Sequence, residues 1–277
     1  MASVWLQQKA AASADRDDPA LGTHLISSLL SHREAHRMTQ KQYRSTLLLG
    51  IIGAALTIFG DFLIGANPAG GSEITTGSPM LDAFADSAAG SDLRLVLGGM
   101  LGLIGLPMEG AAYFGIGKFL LKDRKGVMPI LYQAAVLAQT GIAGASHLSC
   151  AVIALLLKWI APTDPDLAVD VVLKYTYCIL TPMTVIFGVL LCIALLYIFI
   201  LIIKGGTPYP RHAAFYNMAF GAGVCMLLGA LIGNNMIGNG ISTAAVSLGT
   251  LWMFVMMLAY DKEPKKHICK IEKMPVD

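Results

Sequence analysis

Residues 45–66 read STLLLGIIGAALTIFGDFLIGA, a run whose only charge is Asp61. A helix on the surface of a soluble domain keeps one polar face, whereas this run is apolar all round and therefore belongs in a fully apolar setting. At 1.5 Å per residue, about 20 such residues cross the roughly 30 Å hydrocarbon core of a bilayer. Working outward, comparable runs occupy 94–119, 128–158, 180–203, 212–233 and 241–260. The reading is an all-α polytopic transmembrane bundle of six spans. Composition agrees: 55% of residues are hydrophobic and 14% charged, against about 25% charged in ordinary soluble domains.

The run 128–158 is longer than a perpendicular crossing needs, so it is expected to tilt or to project from the bilayer. Residues 167–204 are too many for one crossing, and Pro182 suggests a division into a short surface helix and span four. A loop rich in Gly, Ser and Pro, carrying Glu73, Asp82, Asp86 and Asp92, joins the first two spans, and GNNMIGNG (233–240) reads as a tight polar turn. No internal repeat is evident. Leu21, Leu25, Ile26, Leu29 and Leu30 recur at helical spacing beside Arg33, His36 and Arg37, which reads as an amphipathic N-terminal helix on the membrane surface. The expected organisation is a cytoplasmic segment over 1–43, a six-span domain over 44–260 and a basic cytoplasmic tail over 261–277. Residues 1–20 lack the continuous apolar core of a secretory signal, so the first span is expected to direct insertion.

Orientation follows from lysine and arginine near the span ends. With the N-terminus inside, fifteen of these residues flank the inner ends, and only Arg94, Lys158 and Lys174 lie outside. The bias alternates correctly across every loop, giving an N-in, C-in topology.

The net charge of +2 and the absence of basic stretches interleaved with aromatics exclude nucleic acid as an expected partner. Five scattered cysteines, none in CxxC spacing, suggest neither a zinc site nor a disulfide framework. No HExxH, GxSxG or Walker loop is present, and no cofactor or metal is expected. The 14 methionines read as flexible packing. The sequence leaves the oligomeric state open.

An ionisable side chain within hydrocarbon usually faces a partner or a cavity, so the few that occur are the candidate chemistry. They are Asp61 in span one, Glu109 in span two and His147 in span three. Counted from the inner boundary, Asp61 and His147 share one level in the outer half, while Glu109 lies deeper. A carboxylate beside a histidine can fix its tautomer and raise its basicity while the other nitrogen meets a substrate. Asp61 paired instead with Arg94 is the structural alternative. Arg94, Ser149, Tyr177 and Asn235 approach the same outer level and are the candidate substrate-binding residues. Gly98, Gly99, Gly102 and Gly105 read as a helix-packing surface.

GDFLIG (60–65), SDLRLVLGGMLGLIG (91–105) and GASH (144–147) resemble the corresponding elements of an uncharacterised family of bacterial polytopic membrane proteins. The resemblance covers roughly residues 45–150. It implies a bacterial cytoplasmic-membrane location and a shared outer set of Asp61, Arg94 and His147, and it supplies no activity.

Three functions fit these residues. The first is an acid–base enzyme acting on an amphiphilic, lipid-like or isoprenoid substrate drawn from the surrounding membrane lipids, with His147 as acid or base, Asp61 orienting it and Glu109 as a second acid. The second is a proton-coupled secondary transporter with the three groups as relay sites. The third is a non-catalytic subunit or immunity-type protein.

Overall fold

The structure, a computed structural model, describes residues 38–67, 74, 76 and 78–261. The amphipathic stretch read at 20–37 and the lysine-rich tail lie outside the described residues. Among those described, every regular element is a helix: α1 (Gln40–Gly65), α2 (Pro79–Ala88), α3 (Asp92–Leu120), α4 (Val127–Ile160), α5 (Pro165–Tyr175), α6 (Thr181–Ile203), α7 (Met218–Ile232), α8 (Met236–Thr243) and α9 (Ala245–Tyr260). Four helices are long and apolar enough to cross a membrane: α1, α3, α4 and the continuous run Pro165–Ile203. This is an all-α chain with the composition and helix lengths of an integral membrane protein.

The buried residues of α1 include Tyr43, Leu47, Gly50, Ala54, Thr57, Asp61 and Ile64, whose alternating spacing of four and three makes a single seam along the helix. Away from that seam, Leu48, Ile52 and Phe59 are exposed. Apolar side chains therefore point both inward and outward, an arrangement that suits lipid and not water.

The seam of α1 packs against α3, its most extensive partner. Glycines set the separation. A Cβ on Gly53 would stand 2.6 Å from the Gly105 carbonyl oxygen and 2.7 Å from the Met108 Cβ, and one on Gly60 would stand 2.7 Å from the Gly98 oxygen. The two backbones thus meet directly, as small-residue interfaces in membranes permit.

Polar contacts tie the helix ends together. At the Gly65 end, the Arg94 side chain donates from Nε to the Leu63 carbonyl (2.6 Å) and from Nη2 to the Ala66 carbonyl (2.8 Å), satisfying the open C-terminus of α1 with a cation. Lys158 of α4 pairs with Asp92 at 2.6 Å and donates to the Gly90 carbonyl. At the opposite end, the Gln40 amide donates to the Asp261 backbone and side chain. There Tyr43 also stacks on Phe119 at 4.2 Å and hydrogen-bonds Tyr209 at 2.6 Å.

Three regions depart from the sequence reading. The loop between the first two spans contains α2, which starts at Pro79 and buries Leu81, Ala85 and Ala88 against Ile153, Leu157 and Val172. Alanine-rich i, i+4, i+7 spacing is easily lost in Gly/Ser composition. The helix at 165–203 is not interrupted. Five residues, Thr176–Leu180, widen into a π-turn immediately before Pro182, which accommodates a ring with no N–H to donate. The runs at 212–233 and 241–260 are each divided. Arg211–Tyr216 wind as a 3₁₀ helix before the 15-residue α7, and α8 meets α9 at a 60° bend. Asparagine explains both starts: Asn217 accepts from Phe220 N at the head of α7, and Asn235 accepts from Ile237 N and Gly238 N at the head of α8.

The α1–α3 contact makes a direct prediction. Gly53→Ala must push the Gly105 backbone aside and is expected to cost on the order of 1–3 kcal/mol. Gly141→Ala, where nothing lies within 4 Å of the added carbon, is expected to be neutral or slightly stabilising. Thermal melting of the detergent-purified variants checks the difference.

Candidate functional site

Asp61 lies on the buried seam of α1, one residue past the Gly60 contact, and so emerges where α1, α3, α4 and α9 meet. One carboxyl oxygen, Oδ2, accepts from the Ser247 hydroxyl of α9 at 2.7 Å. The other, Oδ1, stands 3.3 Å from His147 Nδ1 of α4. On the far side of the imidazole, Nε2 is 3.1 Å from the Gly98 carbonyl of α3. Gly102 supplies the slot, because any side chain there would overlap the ring.

The protons in this cluster follow from the partners. A carbonyl only accepts, so His147 Nε2 carries a hydrogen and donates it to Gly98. Nδ1 and Asp61 Oδ1, 3.3 Å apart, would both be acceptors if neither were protonated, an opposition that one proton shared between them relieves. Either a carboxylic acid faces neutral imidazole or a carboxylate faces imidazolium; in both forms the pair carries one proton and no net charge.

The pair borders a cleft of about 1360 Å³, its open mouth included. Asn67, Asp82, Asp86, Asn234, Asn239 and Thr243 also line it, and among the described residues its wall contains no lysine or arginine. Asp82 accepts from the Thr76 N–H and hydroxyl, both at 2.8 Å, and these bonds hold its carboxyl below the usual carboxylate range. The cleft therefore keeps a fixed negative charge beside the pair at neutral pH.

Glu109 lies deeper along α3 and lines a second cavity of about 370 Å³ with Gln139, Thr140, Met218, Ser247 and Thr250. Ser247 is thus shared: it lines the inner cavity while its hydroxyl bonds the carboxyl of the cleft. A third cavity of about 530 Å³, towards the Gln40 end, is ringed by Tyr113, Tyr132, Tyr209, Tyr216 and Tyr260. Tyr113 lines both this and the middle cavity. The three spaces follow one another along the bundle, divided by the Asp61–Ser247 bond and by Tyr113.

Of the residues singled out from sequence, Asp61 and His147 are brought together, with Glu109 in the neighbouring cavity. Arg94 is not the partner of Asp61; its guanidinium is taken by the α1 carbonyls. Ser149 donates to Ala145 O and meets the Tyr175 hydroxyl at 3.1 Å, joining α4 to α5. Tyr177 is exposed, and Asn235 caps α8. None of these four lines the cleft. The lining falls instead to Asn67, Asn234 and Asn239. Ser247, Thr250 and Gln139 went unremarked in the sequence, although a glutamine inside an apolar span signals a buried polar partner or cavity. Among the described residues, no three His, Cys, Asp or Glu side chains are grouped to hold a metal ion.

A helical membrane protein with a buried acid–histidine pair at the mouth of a polar cleft is the class these features define. Residues 38–263 match the family of unknown function DUF6796, and the chain belongs to that family. No curated protein and no solved structure matches the chain.

The geometry separates the two candidate partners of Asp61. In double-mutant cycles on unfolding free energy, Asp61→Asn with His147→Gln should couple by about 1–3 kcal/mol, and Asp61→Asn with Arg94→Gln by less than about 0.5 kcal/mol. Equal coupling in both cycles would contradict the assignment.

Proposed function

We propose that the chain crosses the membrane six times, with the start of α1 and the end of α9 on the cytoplasmic side, and that it exchanges protons for a small organic cation. Two observations support the crossing number. The contact of Gln40 with Asp261 brings the start of α1 and the end of α9 to one end, which demands an even number of crossings. The 3₁₀ turn and α7 would extend about 34 Å if laid end to end, enough for the fifth. The charge bias of the sequence puts the Gln40 end in the cytoplasm. Single cysteines at Ser91 and at Gly206, in a chain whose own cysteines are serine, test this. The first should label with an impermeant thiol reagent from outside intact cells and the second only after lysis.

The observation that carries the transport reading is the series of three cavities, with Asp61–His147 at one wall and Glu109 beyond it. Acidic lining without cationic residues favours a positively charged solute over an anion. A site that holds either a proton or a cation, not both, couples their movements. Enzymatic acid–base work by His147 is less well supported, because both ring nitrogens already meet protein groups and neither is left for a substrate. Ser247 likewise donates to the carboxylate and not to a histidine, the wrong order for an activated nucleophile.

Proteoliposomes loaded with a pH-sensitive dye test the reading. Adding a small alkylammonium from a graded panel should release protons from wild-type vesicles. Asp61→Asn should lower the rate at least tenfold, and Ser91→Ala should not. Proton movement unaffected by Asp61→Asn, or uptake indifferent to an imposed pH gradient, rejects proton exchange.

A further inference from the structure

The middle cavity contains two buried acceptor atoms without a hydrogen-bond partner among the described residues. They are Glu109 Oε1 and Gln139 Oε1, each enclosed. Burying an acceptor without a donor is costly, and burying a carboxylate is more so. Both belong to residues that line the same space, and two of its hydroxyls have their hydrogens committed elsewhere. Thr140 Oγ1 spends its hydrogen on the Val136 carbonyl at 2.7 Å, and Ser247 spends its own on Asp61. Their lone pairs remain for something electropositive.

We infer that this cavity is a sodium site, with Glu109 and Gln139 supplying the carboxylate and amide oxygens and the hydroxyls of Thr140, Ser247 and Thr250 completing an all-oxygen shell. Hard cations take oxygen ligands of this kind. One carboxylate balances one positive charge, so the set suits a monovalent ion; a divalent ion would leave an uncompensated charge in hydrocarbon. Leu106, Phe187 and Leu191 of the cavity wall offer no ligands, and the Tyr113 hydroxyl, which also lines it, lies 3.4 Å from Thr250 Oγ1. A proton competes for the same carboxylate, so sodium affinity falls as pH is lowered. The site shares Ser247 with the Asp61 cleft, but a sodium ion can occupy it whether or not the chain transports a solute.

Thermal melting of the purified full chain in detergent, with no gradient and no solute, tests the inference. At pH 8 and constant ionic strength, NaCl should raise the midpoint saturably above choline chloride, by roughly 5–10 °C at a hundredfold excess over Kd. KCl should be much weaker. Glu109→Gln should melt cooperatively in choline and lose the sodium shift. Thr140→Val, which keeps the shape and the charge, should raise half-saturating sodium at least fivefold and keeps the test open if Glu109→Gln does not fold. Equal midpoints in sodium, potassium and choline overturn the site. A sodium shift unchanged in Thr140→Val also overturns it, by putting the ion elsewhere. Neither result bears on proton exchange at Asp61, which the dye assay reads separately.

Discussion

The backbones of α1 and α3 touch at Gly53, Gly60, Gly98 and Gly105, and the rest of the arrangement depends on that approach. A side chain at any of these positions would part the helices by the width of a methyl group or more. The Gly98 carbonyl would then withdraw from His147, and the Gly102 slot that admits the imidazole would close or shift. The acid–histidine pair is therefore a consequence of helix packing as much as of its own two residues. In hydrocarbon, where the hydrophobic effect gives helices no reason to associate, such contacts and the hydrogen bonds between helices are the available adhesion.

Polar residues divide this interior into compartments. The Asp61–Ser247 bond closes the cleft from the middle cavity, and Tyr113, held by its carbonyl's bond from the Tyr132 hydroxyl at 2.8 Å, stands between the middle cavity and the tyrosine-rich end. A rotation of Ser247 about one torsion breaks the first divider. Tyr113 is itself packed, edge-on to Phe254 at 5.1 Å and 3.4 Å from the Thr250 hydroxyl, so the second divider is held on more than one side.

The membrane class, three of the four long helices and the depth match of Asp61 with His147 were legible because each rests on a linear property, run length or residues counted from a boundary; the fourth, read as divided at Pro182, runs unbroken through its π-turn. The partner of Asp61 on the third side was not, because Ser247 is one small hydroxyl among several in α8 and α9 and only the crossing of α1 with α9 selects it. Arg94 illustrates the opposite error. Its charge made it a natural counter-ion for Asp61, yet the open carbonyls at the end of α1 are nearer and need donors just as urgently. Asn235 likewise went to a helix cap, the demand its sequence context, a Gly-flanked turn, already advertised. The helix α2 was hidden because alanine and serine carry little hydrophobic contrast, so its buried face emerges only against α4.

Asp61 and Glu109 sit on either side of one hydroxyl in a medium that tolerates bare charge poorly. Neutralising either, by a proton or a cation, reduces the electrostatic cost of ionising the other, and the relation is reciprocal. His147 modifies this coupling at the outer member alone: with its Nε2 hydrogen committed to Gly98, it can hold the shared proton or leave it on Asp61 without changing the net charge of the pair. On the proton-exchange proposal, a cation arriving in the cleft displaces a proton from the pair as a whole, not from the carboxyl alone. The two sites are chemically unlike for the same reason. The outer one has a built-in base to take up its proton, while the inner one, with only neutral oxygens around Glu109, must draw its compensating charge from outside the protein.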